Sequence, residues 1–344
     1  MKKSIIYLFV CAISGMMLTT SCQDSLDLDA TNSNTRNVTI DKDLFAVKGR
    51  INVKLAKGTN YAIPSSPNGN VEMQSVPSAM ASAMKFSGAY RMERVFKPAG
   101  IYEARTVAEG LDRWYTIYFD ESKDVSAVLQ QFNKVNGIEY AERVLPIARP
   151  KVTAKPYNGP SASAEMKGAA GVFNDPYLSK QWHYYNDGSV SAHAKKGADC
   201  NVKPVWEKYT AGKSNVIVAI VDGGIDITHE DLVDNFYINE KEKNGQPNVD
   251  DDGNGFVDDV YGYNFVTADG VVGGKIEPDD DGHGTHVAGT VGARNNNGKG
   301  VAGVAGGDGT AGSGVRLMSC QIFRKKNEQG DAAAAIKYAA DNGA

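Results

Sequence analysis

The stretch Val216-Ile-Val-Ala-Ile-Val-Asp-Gly-Gly224 decides the fold. Its continuous β-branched run is the pattern of a strand buried on both faces of a parallel sheet, and it stops at an aspartate followed by glycines. Gly314–Phe323 is a second such run, and Asp331–Asn342 is an alanine-rich helix closed by Gly343. Strands alternating with helices imply an α/β fold, part of a doubly wound parallel sheet. In open sheets of this kind, catalytic and ligand groups collect at the carboxyl ends of strands. Asp222 stands at one.

An acid fixed at a strand end and flanked by glycines suits the orienting of a histidine. It accepts one ring N–H and stabilises the imidazolium as that forms. An aspartate capping a turn or the next helix has the same local sequence. The histidine is sought in Pro278-Asp-Asp-Asp-Gly-His-Gly-Thr-His-Val-Ala-Gly-Thr-Val-Gly292. Val287, Ala288 and Val291 follow His283 at helical spacing, so the helix begins at Gly282-His283-Gly284. A helix start disfavours positive charge, which suits a neutral imidazole acting as a base. Zinc is a poor fit, since His283 and His286 lie at i and i+3 with no glutamate between them and no third ligand in view. Asp279–Asp281 reads as a solvated acidic loop.

A second constellation is Asp250-Asp-Asp-Gly-Asn-Gly-Phe-Val-Asp258. Its spacing matches the opening of an EF-hand-type loop, with Asp250, Asp252 and Asn254 as side-chain oxygen ligands. Gly255 takes the sharp turn, Phe256 offers its carbonyl, and Asp258 comes next. The closing glutamate of such a loop is replaced by Tyr261, so another group must complete the shell, and Asp259 is the candidate. The segment reads either as a structural Ca2+ site or as an acidic turn without metal.

The 344 residues, with a net charge of -4 and 42% hydrophobic content, describe a globular chain of about two domains. No basic footprint for nucleic acid is present, and no apolar run reaches the ~18 residues of a membrane-spanning helix. Lys2, Lys3, the apolar run Ile5–Leu18 and Thr19-Thr-Ser-Cys22 read as an export signal over residues 1–21. Cys22 stands where the lipobox of bacterial lipoproteins, which this resembles, carries its lipidated cysteine. Thr19 replaces the usual leucine and Leu18 comes one place early, so an ordinary secretory signal is the other reading. The lipoprotein reading implies export and a lipid anchor in the bacterial outer membrane, on its surface or periplasmic face, as the only membrane contact. Residues 22–40 then form an acidic tether. Of the four cysteines, Cys200 and Cys320 remain for the folded part and read as free thiols.

Residues 41–150 read as a small α+β domain. Arg50–Leu55 alternates as a half-buried strand, and Trp114–Phe119 is β-rich. Val125, Val128, Leu129, Phe132 and Val135 fall at helical spacing before Gly137, and Ile138–Val144 returns as a strand. Residues 151–173 are an exposed linker rich in Pro, Gly, Ala and Ser, and residues 174–344 hold the α/β pattern.

These segments resemble the subtilisin-like serine proteases, or subtilases. Val218-Ala-Ile-Val-Asp-Gly-Gly-Ile-Asp226 is similar to the family's aspartate segment, with Gly223 where Ser or Thr is usual. His283-Gly-Thr-His-Val-Ala-Gly289 matches the histidine motif throughout. His229-Glu-Asp-Leu232 and Gly300-Val-Ala-Gly-Val-Ala305 resemble structural segments near them, and His286 would be structural too. Asn174–Trp182 looks like the start of a mature subtilase, and the unit ending in Val144 is similar to its propeptide. The resemblance implies a serine endopeptidase with Asp222 and His283 as catalytic residues and a peptide or protein substrate. The N-terminal unit would be its intramolecular inhibitor, and residues 151–173 its maturation region. The nucleophilic serine in a Gly-Thr-Ser-Met-Ala type motif and the oxyanion asparagine cannot be placed. Ser313 reads as a turn residue and Ser319 as part of a buried strand. The chain therefore reads as the N-terminal half of the catalytic domain, inactive by itself. The other reading is a non-enzymatic lipoprotein with a protease-binding, propeptide-like unit and a calcium loop.

Overall fold

A computed structural model describes residues 46–59, 69–147, 172–189, 194–266, 274–278, 281–324 and 329–344. The export signal, Cys22, the acidic tether, Asp279, Asp280 and nearly all of the linker lie outside the described residues.

The first part holds, in chain order, β1 (Arg50–Leu55), β2 (Asn70–Val71), α1 (Ala81–Ser87), β3 (Arg91–Arg94), α2 (Glu103–Ala108), β4 (Trp114–Tyr118), α3 (Val125–Phe132) and β5 (Ile138–Arg143). Its sheet has the order β2-β3-β4-β1-β5. The helix between β4 and β5 forms where its sequence places it. Asp124 caps it, its carboxylate accepting from the Ser126 and Ala127 amides at 3.1 Å each. Val125, Val128, Leu129 and Phe132 are buried at i, i+3, i+4 and i+7. They meet Ile51, Val53 and Leu55, the alternate residues of β1, together with Ile117 and Met92. Each fully buried side chain of this size contributes roughly 1.5–3 kcal/mol. The strands flanking α3 are not neighbours, because β1 lies between β4 and β5 and is antiparallel to both.

The second part holds α4 (Lys203–Lys208), β6 (Ile217–Gly223), α5 (Glu240–Lys243), β7 (Gly262–Asn264), α6 (His283–Gly292), β8 (Arg316–Phe323) and α7 (Ala332–Asp341). Its parallel sheet has the order β6-β8-β7. Successive residues of β8 feed opposite faces. Leu317 joins Ile220, Leu232 and Ala288 on the α6 side, while Met318, Cys320 and Ile322 join Ala335, Tyr338 and Ala339 on the α7 side. This is the expected α/β arrangement, with a helix on each face of a parallel sheet. Asp331 caps α7 through the Ala334 amide at 2.9 Å.

Of the two runs expected to be buried on both faces, one is and one is mostly half-buried. The run at Val216–Val221 belongs to β6, which pairs on one side only among the described residues and is mostly half-buried. The central strand, with every residue after Arg316 buried, is β8. A strand at the sheet edge leaves its side chains more open laterally, and among the described residues only β8 has strands on both edges. Cys200 is exposed, Cys320 is buried in β8, and both are free. No described helix is long and apolar enough to cross a membrane.

Candidate active site and acidic loop

The aspartate and the histidine chosen from sequence come together. Asp222 is the penultimate residue of β6 and His283 the first residue of α6. The imidazole Nδ1 lies 2.7 Å from Asp222 Oδ1, and the same oxygen accepts from the Gly223 amide at 2.6 Å. A carboxylate only accepts, so Nδ1 carries the hydrogen and Nε2 keeps its lone pair as a base. The side chains are 16% and 19% exposed, which leaves the imidazole within reach of solvent while most of the pair is shielded. The helix start is tied down locally, since Asp281 accepts from the His283 amide at 3.1 Å.

A backbone contact sets this pairing. Gly284, Ala288 and Gly292 are the buried residues of α6 and recur every fourth position, which makes one small-residue face. At one end, a Cβ on Gly292 would lie 3.1 Å from Leu317 Cδ2. At the other, a Cβ on Gly284 would lie 2.2 Å from the Gly223 carbonyl oxygen. Only a residue without a side chain lets the helix start approach the strand end this closely. Thr285 adds a bond across the same gap, its Oγ1 accepting from the Asp226 amide at 2.9 Å.

The far end of α6 is held through the segment His229–Leu232. Asp231 is buried and accepts from Asn297 Nδ2 at 2.8 Å and the Val301 amide at 2.9 Å, while its carbonyl accepts from the Arg294 amide at 2.7 Å. Burial pushes its carboxyl pKa up, and the bonds from Val301 and Asn297 draw it back. His229 is structural, its Nδ1 accepting from the Asp231 amide. His286 is exposed on α6. Its charge acts on His183, whose pKa is lowered first by burial and then by His286. Ser313 closes a turn, donating to the Thr310 carbonyl at 2.7 Å. The Ser319 hydroxyl is buried in β8 with no hydrogen-bond partner.

In the acidic loop, Glu242, Asp250 and Asp252 bring one carboxylate oxygen each to within 4.8 Å of one another. Glu242, on α5, was not foreseen. Its signal is faint, an acid in Glu240-Lys-Glu-Lys243 eight residues before the motif. Its oxygens accept from the amides of Asp251 at 2.6 Å, Asp252 at 3.1 Å and Asp258 at 2.9 Å. Asp250 accepts from the amides of Gly253, Asn254 and Gly255 at 2.8, 3.1 and 2.8 Å. Asp252 accepts from the Asn254 amide at 2.9 Å and from the side chains of Asn239 and Asn254. A carboxylate offers about four lone-pair sites, so each of the three keeps room for one bond to a hard cation.

The other predicted ligands also make bonds within the protein. Asn254 Oδ1 accepts from the Phe256 amide at 2.8 Å, and the Phe256 ring packs against Tyr263 and Tyr338. The Asp258 carboxylate accepts from the Asn248 amide. Asp259, expected to complete the shell, is fully buried and accepts from Asn239, Asn254 and the Tyr338 hydroxyl. Burial raises its pKa to about 7. Glu242 is the third carboxylate beside Asp250 and Asp252.

A family model described as "Subtilase family" matches residues 213–344, and one described as "N-terminal of Subtilase family" matches residues 51–188. Subtilisin-like protease 1 of Plasmodium vivax is 40% identical over 137 residues, covering 39% of this chain and 19% of that protein. Neuroendocrine convertase 2 of Bos taurus is 36% identical over 145 residues, covering 42% of this chain and 19% of that protein. The matched region thus spans about a fifth of the length of these relatives. Among solved structures, a protease from Pseudoalteromonas arctica matches at 31% identity over 48% of this chain and 43% of that one, with a TM-score of 0.30.

The close approach at Gly284 makes a prediction about two glycines of one helix. Gly284→Ala should lower stability by about 1–3 kcal/mol through overpacking. Gly289→Ala, which meets nothing within 4 Å, should raise it by up to about 1 kcal/mol through helix propensity. Urea unfolding of both variants checks the pair, and equal effects of the same sign would contradict the contact.

Proposed function

Because the chain belongs to the subtilase family, we propose that it carries the acid and the base of a serine endopeptidase. Its substrate is a peptide or protein. The observation that carries this reading is the 2.7 Å contact between His283 Nδ1 and Asp222 Oδ1.

In this mechanism Asp222 holds the imidazole with its hydrogen on Nδ1. His283 Nε2 then takes the proton of a serine hydroxyl as that oxygen attacks the scissile carbonyl carbon. Asp222 stabilises the imidazolium so formed, and Nε2 returns the proton to the nitrogen of the leaving amine as the peptide bond breaks. We place the nucleophilic serine and the oxyanion asparagine outside these 344 residues. Ser313 is committed to its turn and Ser319 is enclosed in β8, so neither serves as that nucleophile. The N-terminal α+β part acts as the intramolecular inhibitor, which its match to the family's N-terminal model supports.

Two further assignments belong to this proposal. Glu242, Asp250 and Asp252 hold a structural Ca2+, for which an all-oxygen, carboxylate-rich donor set is suited. The ion would neutralise charges that otherwise repel. Cys22 carries a lipid that anchors the exported protein to the bacterial outer membrane, a reading supported by the leader-like residues before it.

In the full-length enzyme, His283→Ala should lower kcat on a casein-derived peptide by about 10⁴-fold or more. The 344-residue chain should take up no serine-directed fluorophosphonate. Residual full activity in the variant, or labelling of the short chain, would overturn the corresponding assignment. Chelation of calcium should lower the Tm of the chain, and Asp252→Ala should abolish the difference between calcium and chelator. A Tm indifferent to chelation would remove the metal assignment. Growth of an expressing bacterium with radiolabelled palmitate should label the protein, and Cys22→Ser should prevent it. Label retained by the serine variant would refute the anchor.

A further inference from the structure

The N-terminal part meets the acidic loop at a place the proposed chemistry does not use. Between β3 and α2 the chain turns through Pro98-Ala-Gly-Ile-Tyr102, and this turn is braced from within. Arg94 of β3 donates to Glu103 Oε1 at 2.8 Å, and the other oxygen of Glu103 accepts from the Ala99 amide at 3.0 Å.

The braced turn seats directly on the acidic loop. The Ile101 amide donates to the Gly253 carbonyl at 2.7 Å. The two backbones approach so closely that a Cβ on Gly100 would lie 1.8 Å from that carbonyl oxygen. A Cβ on Gly255 would lie 2.5 Å from the Pro98 carbonyl oxygen. Beside this contact, the Tyr102 hydroxyl has its pKa raised, first by burial and then by the charges of Asp252 and Asp341. One helical turn on, Arg105 donates to Asp341 at the end of α7 at 3.2 Å.

The contact bears on the carboxylates through the loop's own amides. Gly253, Asn254 and Gly255 donate to Asp250, so whatever fixes Gly253 also fixes the donors that hold Asp250 in place. Three carboxylates within 4.8 Å repel one another and would spread if the loop were free to open. A docked turn opposes that spreading from outside, and a bound cation opposes it from within.

We propose that Pro98–Tyr102 is a docking key for the acidic loop, so that the N-terminal part clamps Glu242, Asp250 and Asp252 in their cation-binding arrangement. Docking and cation binding then favour each other, and the coupling is reciprocal. The inference rests on the Ca2+ assignment above and adds to it a partner, the N-terminal part itself.

The test uses the 344-residue chain. Calcium affinity is measured by isothermal titration, and hydrogen–deuterium exchange is followed in peptides covering residues 98–105, in calcium and in chelator. In the unaltered chain, calcium should slow exchange over 98–105. Gly100→Ala should weaken calcium binding by about tenfold, within the range usual for coupled sites, and leave 98–105 in fast exchange under both conditions. Arg105→Ala keeps the backbone contact and should weaken binding by about twofold, as expected for an exposed ion pair. It keeps the test decisive if Gly100→Ala does not fold. Unchanged calcium affinity in whichever variant folds, with calcium-independent exchange over 98–105, overturns the clamp and leaves the metal assignment standing. An unaltered chain that titrates no calcium overturns the metal assignment and the coupling with it.

Discussion

The site depends on one close approach, that of the first turn of α6 to the last residues of β6. Asp222 and His283 are 61 residues apart in the chain, and a bond of 2.7 Å between them needs both elements held to a fraction of an ångström. The small face of α6 makes this possible. Gly292 against Leu317 sets the height of the helix over the sheet, and Gly284 against the Gly223 carbonyl sets how far it slides toward the strand end. Interiors pack densely enough that a helix seated at two such points has little freedom left. The geometry of the acid and base is therefore a property of the sheet–helix contact, which the hydrogen bond then exploits.

The far end of the same helix shows a second way to hold it. Asp231 sits buried where the chain leaves Ile225 and Leu232 in the core, and its bonds reach the segment that follows α6. A buried carboxylate is costly unless its oxygens are satisfied. The Val301 amide and the Asn297 side chain satisfy them, and in doing so tie the end of α6 to the segment after β6. The pair of constraints is complementary: a steric one near the imidazole and a polar one away from it.

Much of this was legible from residue order, for physical reasons that differ by element. Asp331 opens its alanine-rich helix visibly because a cap acts within three residues. The apolar spacing of Val125–Phe132 reports directly which face is buried. Asp222 and His283 were legible because a strand end and a helix start are both marked locally, by glycines and by the change of period. The partial exposure of Val216–Val221 has a different origin. An apolar run records a tendency to burial, whereas its extent also depends on which strands lie beside it, which the run does not encode. The insertion of β1 between β4 and β5 escaped for the same reason. Glu242 escaped because its place beside Asp250 and Asp252 is created by the fold of the intervening turn, with no fixed spacing to read.

The acidic loop is also coupled to the sheet. The Tyr338 hydroxyl of α7 donates to Asp259 at 2.6 Å, and Asn254 donates to both Asp259 and Asn342. Tyr338 packs in the same core as Met318 and Cys320 of β8. A displacement of the loop therefore strains α7, and through it the central strand. The N-terminal part touches both members of this couple, Gly253 in the loop and Asp341 at the end of α7. Contacts made to two rigidly linked elements reinforce one another, because fixing the first leaves less freedom to be lost at the second. By that reasoning the short turn at Pro98–Tyr102 and the exposed ion pair at Arg105 gain from acting together, although an exposed ion pair alone is worth at most about 1 kcal/mol.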